Sequence, residues 1–106
     1  MIKYLNINDQ DYPIRVSYYA LKKLKLELGR TLSADDDGSD YDAYEALLFY
    51  SLEKGHKIEG IPMPFKRKEM EDLMDDCYFR FLQLVPQFFE MLAEEQKPNG
   101  GPIGKK

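Results

Sequence analysis

The sequence predicts an α+β domain that is mainly helical, an N-terminal β-hairpin followed by three to four α-helices. Three observations carry this reading. Short runs with β character flank a cluster of turn residues near the N-terminus. Two helical segments follow, one amphipathic and one apolar nearly all round, each with a capping residue before it and a glycine after it. A long stretch from Met70 to Leu92 then keeps its apolar positions in a single helical register.

The hairpin spans Lys3 to Val16. Asn8-Asp9-Gln10-Asp11 supplies turn chemistry between Tyr4–Ile7 and Tyr12–Val16. Pro13 has no N–H to give a ladder, so its strand is expected at an edge or with a free outer side there. A lone hairpin is marginal in water and must lie on helices or pair with another strand. Ser17 is the expected N-cap of a helix running to about Leu28, with Gly29 as its stop. Tyr18, Leu21, Leu24 and Leu28 form the expected core stripe, while Tyr19 and Leu26 fall together on another face among lysines.

Thr31 to Asp40 is a polar, acidic loop. A second helix is expected from Tyr41 to Lys54, stopping at Gly55; Ala43 to Leu52 carries one charge and is apolar nearly all round, which places this helix centrally or at an interface. His56 to Phe65, with Gly60, Pro62 and Pro64, is an irregular connection. In the last helix the apolar arc covers about 180° of the wheel, against about 100° for a helix on a single core. The excess predicts two apolar neighbours, one of them a candidate partner. Pro86 either kinks this helix or opens a new one, and the unbroken register favours a kinked continuation. Residues 1–95 read as one domain and 96–106, rich in Gly, Pro and Lys, as a flexible tail.

At 106 residues the chain can bury roughly two thirds of its unfolded surface, enough for one core. A net charge of −4 argues against a nucleic-acid binder, which needs a cationic footprint. One cysteine, no signal-peptide pattern and no long uncharged apolar run predict a cytosolic protein with no internal disulfide and no membrane span.

Candidate chemistry is thin. Asp35-Asp36-Asp37-Gly38-Ser39-Asp40 invites a calcium-loop alignment, but Tyr44 then stands where a bidentate Glu is required, so a solvated helix-capping loop is expected instead. His56 has no second histidine and no nucleophile in its sequence context. Cys77 lies on the apolar stripe beside Asp75 and Asp76, which oppose a thiolate. No catalytic residue, metal ligand or cofactor is expected. Lys66, Arg67 and Lys68 precede Glu69, Glu71 and Asp72, an order the helix macrodipole disfavours unless the helix begins after about Lys68.

The opening Ile2–Val16 with Ser17-Tyr18-Tyr19-Ala20-Leu21-Lys22-Lys23-Leu24, and the stretch Tyr44-Glu45-Ala46-Leu47-Leu48-Phe49-Tyr50-Ser51-Leu52-Glu53-Lys54-Gly55-His56, resemble the small tail assembly chaperones of long-tailed bacteriophages. The second stretch is similar to that family's central helix with its glycine-histidine exit. The resemblance covers roughly residues 1 to 95 by domain size and rests on pattern, since no invariant catalytic motif defines the family. It implies a non-enzymatic protein of the host cell cytoplasm that coats the hydrophobic tape measure protein during tail assembly and then leaves. It also implies, for several such families, a longer form made by programmed frameshifting near the end of the short gene. Gly104-Lys105-Lys106 is compatible with that, because lysine codons are adenine-rich.

Apolar grooves rich in aromatics and methionine hold helical clients of varied sequence. The surplus residues expected to make such a surface, or to mediate self-association, are Tyr19, Leu26, Phe81, Phe88, Phe89, Met91 and Leu92. The alternative reading is a small cytosolic adaptor or regulatory subunit that forms homo- or hetero-oligomers through the same helix face.

Overall fold

In the computed structural model, residues 2–33 and 35–96 are described. Strands β1 (Lys3–Ile7) and β2 (Gln10–Ile14) form an antiparallel hairpin, followed by helices α1 (Tyr18–Leu28), α2 (Tyr41–Glu59) and α3 (Met70–Gln96), the last preceded by a 3₁₀ turn at Arg67–Glu69. The expected α+β, mainly helical architecture is present. The tail expectation falls mostly on residues 97–106, which lie outside the described residues.

The hairpin pairs Lys3 with Ile14 and Ile7 with Gln10. Only Asn8 and Asp9 stand between the strands, both in the left-handed region at φ 51° and 67°, as a two-residue hairpin turn requires. Leu5, Ile7 and Ile14 are buried. The sheet therefore has one inward face, with β1 lying on α3 and β2 on α2. Pro13 is on an edge strand as expected, but the outer side of that edge is covered: Arg15 N donates to Ser51 O of α2 at 3.0 Å.

That contact explains the largest departure from expectation. Gly55 does not end α2. The helix runs on to Glu59 and stops at Gly60, which has φ 73° and donates to His56 O and Lys57 O. Gly55 is an interior helical residue against which β2 is pressed; a Cβ there would collide with the Pro13 carbonyl and come within 2.7 Å of Ile14 Cα. Its lack of a side chain serves close approach, and the Gly55-His56 pair is buried rather than an exit. At the other end Asp40 caps α2, its Oδ1 accepting from Ala43 N at 3.3 Å.

In α1, Ser17 stands at the N-cap position without a side-chain cap bond, and Gly29 ends the helix at φ 77°. Ala20 and Leu24 are buried, with Leu21 and Leu28 partly buried beside them. Tyr18 departs from the expected stripe and is 74 % exposed. The wheel explains why: Tyr18 sits about 160° from Ala20 at 100° per residue, on the side away from α2. The core thus gathers the inner face of the hairpin, one stripe of α1, most faces of α2 and one stripe of α3.

Candidate functional site

Helix α3 is continuous through Pro86. Its centre line, Met70, Leu73, Cys77, Phe81, Val85 and Phe88, is buried. Each flank of the broad stripe is then claimed by a different part of the chain. On one flank Asp76 Oδ2 accepts from Asn8 N at 2.8 Å and Arg80 Nε donates to Asn6 O at 3.0 Å, fastening the hairpin turn. Asp76 and Arg80 also pair with each other. On the other flank Tyr78 Oη donates to Gly38 O at 2.6 Å. A Cβ at Gly38 would stand 2.6 Å from Leu82 Cδ1, so the acidic loop is seated on the helix. The two expected neighbours are therefore intramolecular: the hairpin on one side, the 30–40 loop with α2 on the other.

The expected partner-binding residues divide accordingly. Phe81 and Phe88 are fully buried, Phe81 edge-on to Tyr44 with ring centroids 6.4 Å apart; they are core residues and offer no surface in the folded chain. Phe89, Met91 and Leu92 are half-buried along the C-terminal half of α3. Phe89 lines a cleft of about 140 Å³ with Tyr44, Leu82, Val85 and Pro86, and with Ser33, Asp36 and Asp37 of the loop. Tyr19 does not stand with Leu26 on a shared open face. Its hydroxyl donates to Glu53 at 2.9 Å, and the ammonium groups of Lys23 and Lys54 lie within 5.6 and 5.7 Å of its ring centre. Leu26 is 70 % exposed.

A second surface lies between the N-terminal halves of α2 and α3. It is a groove of about 550 Å³ lined by Tyr41, Asp42, Glu45, Glu71, Met74, Asp75, Tyr78 and Phe79. The rings of Tyr41, Tyr78 and Phe79 are in edge contact in sequence, with centroids 5.9 and 5.1 Å apart. Phe79 is 75 % exposed and Tyr41 67 %. Sequence reasoning missed this site, although a signal was present: Phe79 falls about 200° from Cys77 on the wheel, a large aromatic on the polar side.

The remaining titratable groups are tied to structure. His56 is buried and its Nδ1 meets Leu52 O at 2.7 Å, the donor role falling to the ring. A shallow cleft of about 270 Å³ contains both His56 and Glu53. Yet Glu53 is engaged by Tyr19 and His56 by the backbone, so the two do not form a hydrogen-bonded acid–base pair. Burial pushes the Cys77 thiol up to about 11, with Arg80 opposing the rise and Asp76 adding to it. Arg67 binds Glu27 of α1 at 2.7 Å and Glu45 of α2 at 3.4 Å, while Tyr50 Oη donates to Glu27 at 2.7 Å. In the acidic loop Asp37 Oδ1 accepts from Ser39 N at 2.9 Å. Asp40 is held below the usual carboxylate range by Arg30 at 2.7 Å.

Among the described residues no group of three or more His, Cys, Asp or Glu is arranged to hold a metal ion, and no helix is long and apolar enough to cross a membrane. No protein-family model, curated protein or solved structure matches this chain.

Proposed function

We propose that this protein is a non-enzymatic tail assembly chaperone that shields apolar helical segments of a tape measure protein in the cytoplasm of an infected host. The observation that carries the reading is the C-terminal half of α3. There, Phe89, Met91 and Leu92 continue the apolar stripe past Phe88 as half-buried side chains, Phe89 within the cleft that Pro86 shares with the loop. Half-buried aromatic, methionine and leucine side chains adapt to many apolar partners without disturbing the core beneath them. The order of hairpin, two helices and long last helix is also that of the family the sequence resembles.

Co-expression with a candidate tape measure protein tests this. The expected outcome is a soluble, co-purifying complex that Phe89→Asp abolishes while the variant, less stable than the parent because Phe89 packs on the core, still unfolds cooperatively. Phe88→Asp, by contrast, places a carboxylate in the core and should unfold the chain. A tape measure protein equally soluble with and without this chain, and no complex, would overturn the proposal.

A further inference from the structure

Seven large hydrophobic side chains are exposed among the described residues, and four of them fall into two patches of opposite charge. The first patch is on α1. Tyr18, Lys22, Lys25 and Leu26 recur at i, i+4, i+7 and i+8, which sets them along one helical stripe. Tyr18 is 74 % and Leu26 70 % exposed. Lys22 lies 5.8 Å from the Tyr18 ring centre, and neither lysine has a carboxylate partner among the described residues. The second patch is the groove between α2 and α3, where Tyr41 and Phe79 stand exposed beside Asp42, Glu71 and Asp75. None of these three carboxylates is in an ion pair among the described residues, although Asp42 also acts on the Arg30 guanidinium held by Asp40, whereas Glu45 at the same groove is taken by Arg67.

The geometry points to a second copy of this chain as the occupant of the groove, its α1 stripe laid between α2 and α3. The chemistry matches on both counts. Lysine ammonium groups meet free carboxylates and the faces of Tyr41 and Phe79, to which cations are attracted. Tyr18 and Leu26 supply the apolar contact that exposed aromatic rings otherwise lack. Because the two patches share no residue, the contact is heterologous. A copy bound through its groove still presents a free α1 stripe, so association continues beyond a pair or closes into a ring.

Sedimentation of the full chain over a range of concentrations provides the test. In about 0.1 M salt, concentration-dependent association is expected. In about 1 M salt it should be lost, because the screening length falls from about 10 Å to about 3 Å. Lys22→Glu with Lys25→Glu sets acid against acid, and Asp42→Lys with Asp75→Lys sets base against base, so each double variant alone should be monomeric. Mixing the two restores complementarity at both contacts and should restore association. All four positions are exposed, and unchanged melting curves will confirm that the variants are folded. A chain that stays monomeric at every concentration in low salt overturns the proposal and leaves the groove to a different cationic partner. Association that persists in either double variant, or that strengthens with salt, overturns it as well.

Discussion

Gly55 shows how one residue can carry two opposite messages. In a sequence, glycine after an apolar helical run signals a left-handed stop. Here the stop comes later, at Gly60 with its φ of 73°, and Gly55 is helical because β2 lies on top of it. Gly55→Ala would raise local helix propensity by about 1 kcal/mol. The added methyl, however, meets the Pro13 carbonyl and Ile14 Cα, both backbone, which cannot rotate out of the way. Overpacking of this kind costs about 1–3 kcal/mol, so the net effect expected is destabilisation, read as a lower midpoint in a urea melt. A stabilised variant would mean that the hairpin is not held against α2. Phe79 carried the converse message. An aromatic outside the apolar stripe is easily dismissed as a scattered exposed residue; only the approach of Tyr41, from a different helix, to the neighbouring Tyr78 makes it part of a surface.

Among the elements, α1, α2 and the 3₁₀ turn before α3 are joined by Arg67. In the sequence, Arg67 belongs to a basic run set against the macrodipole of the last helix. In the fold α3 begins at Met70 with Glu71 and Asp72 in its first turn, and the conflict disappears. Arg67 instead bridges Glu27 and Glu45, two carboxylates from different helices, while Glu69 folds back to accept from Lys66 N at 2.6 Å. Glu27 is held below the usual carboxylate range first by its hydrogen bond to Arg67. A carboxyl whose folded value lies below its unfolded one stabilises the protein above the ordinary glutamate range and loses that contribution as pH falls through the folded value. Arg67→Met, which keeps the aliphatic stem, should therefore cost on the order of 1 kcal/mol at neutral pH, as expected for a partly exposed network. The cost should shrink in acid once Glu27 is protonated, measurable as melting temperatures of parent and variant converging as pH falls. The hairpin, α1 and α3 could be read in advance because their signals are local: alternation, a cap, a glycine and an unbroken register. The end of α2, the role of Arg67 and the second groove could not, because each is fixed by a contact between segments distant in sequence.

For the whole molecule, the same division explains what became of the broad stripe on α3. A helical wheel measures how much apolar surface a helix carries but not who covers it. Here the Asn6–Asn8 turn and the Gly38 loop cover the two flanks by hydrogen bonds to Asp76, Arg80 and Tyr78, so α3 is locked to both ends of the rest of the fold. Cooperative loss of structure is the consequence, and alkali offers a way to see it. Burial pushes Cys77 up to about 11 from an ordinary value near 9.0, and burial with the Glu27 contact pushes Tyr50 up to about 12 from 10.0. Both groups are neutral when protonated and both hold their protons more tightly on folding. Their stabilisation is complete below the unfolded values and is lost as pH rises toward the folded ones. Cys77 acts from about pH 9 to about 11 and Tyr50 from about pH 10 to about 12. The thiol alone contributes on the order of 3 kcal/mol across its window, a tenfold change in proton affinity being worth about 1.4 kcal/mol. Cys77 sits on α3 in the core and Tyr50 on α2 beside α1, yet because α3 is fastened at both flanks the two should report one transition. The expected result is a single alkaline unfolding curve by far-UV and near-UV circular dichroism, with Cys77→Ala flattening its onset and Tyr50→Phe its upper part. Two separated transitions, with part of the helical signal lost before the rest, would show instead that the α1–α2 interface opens while α3 remains docked.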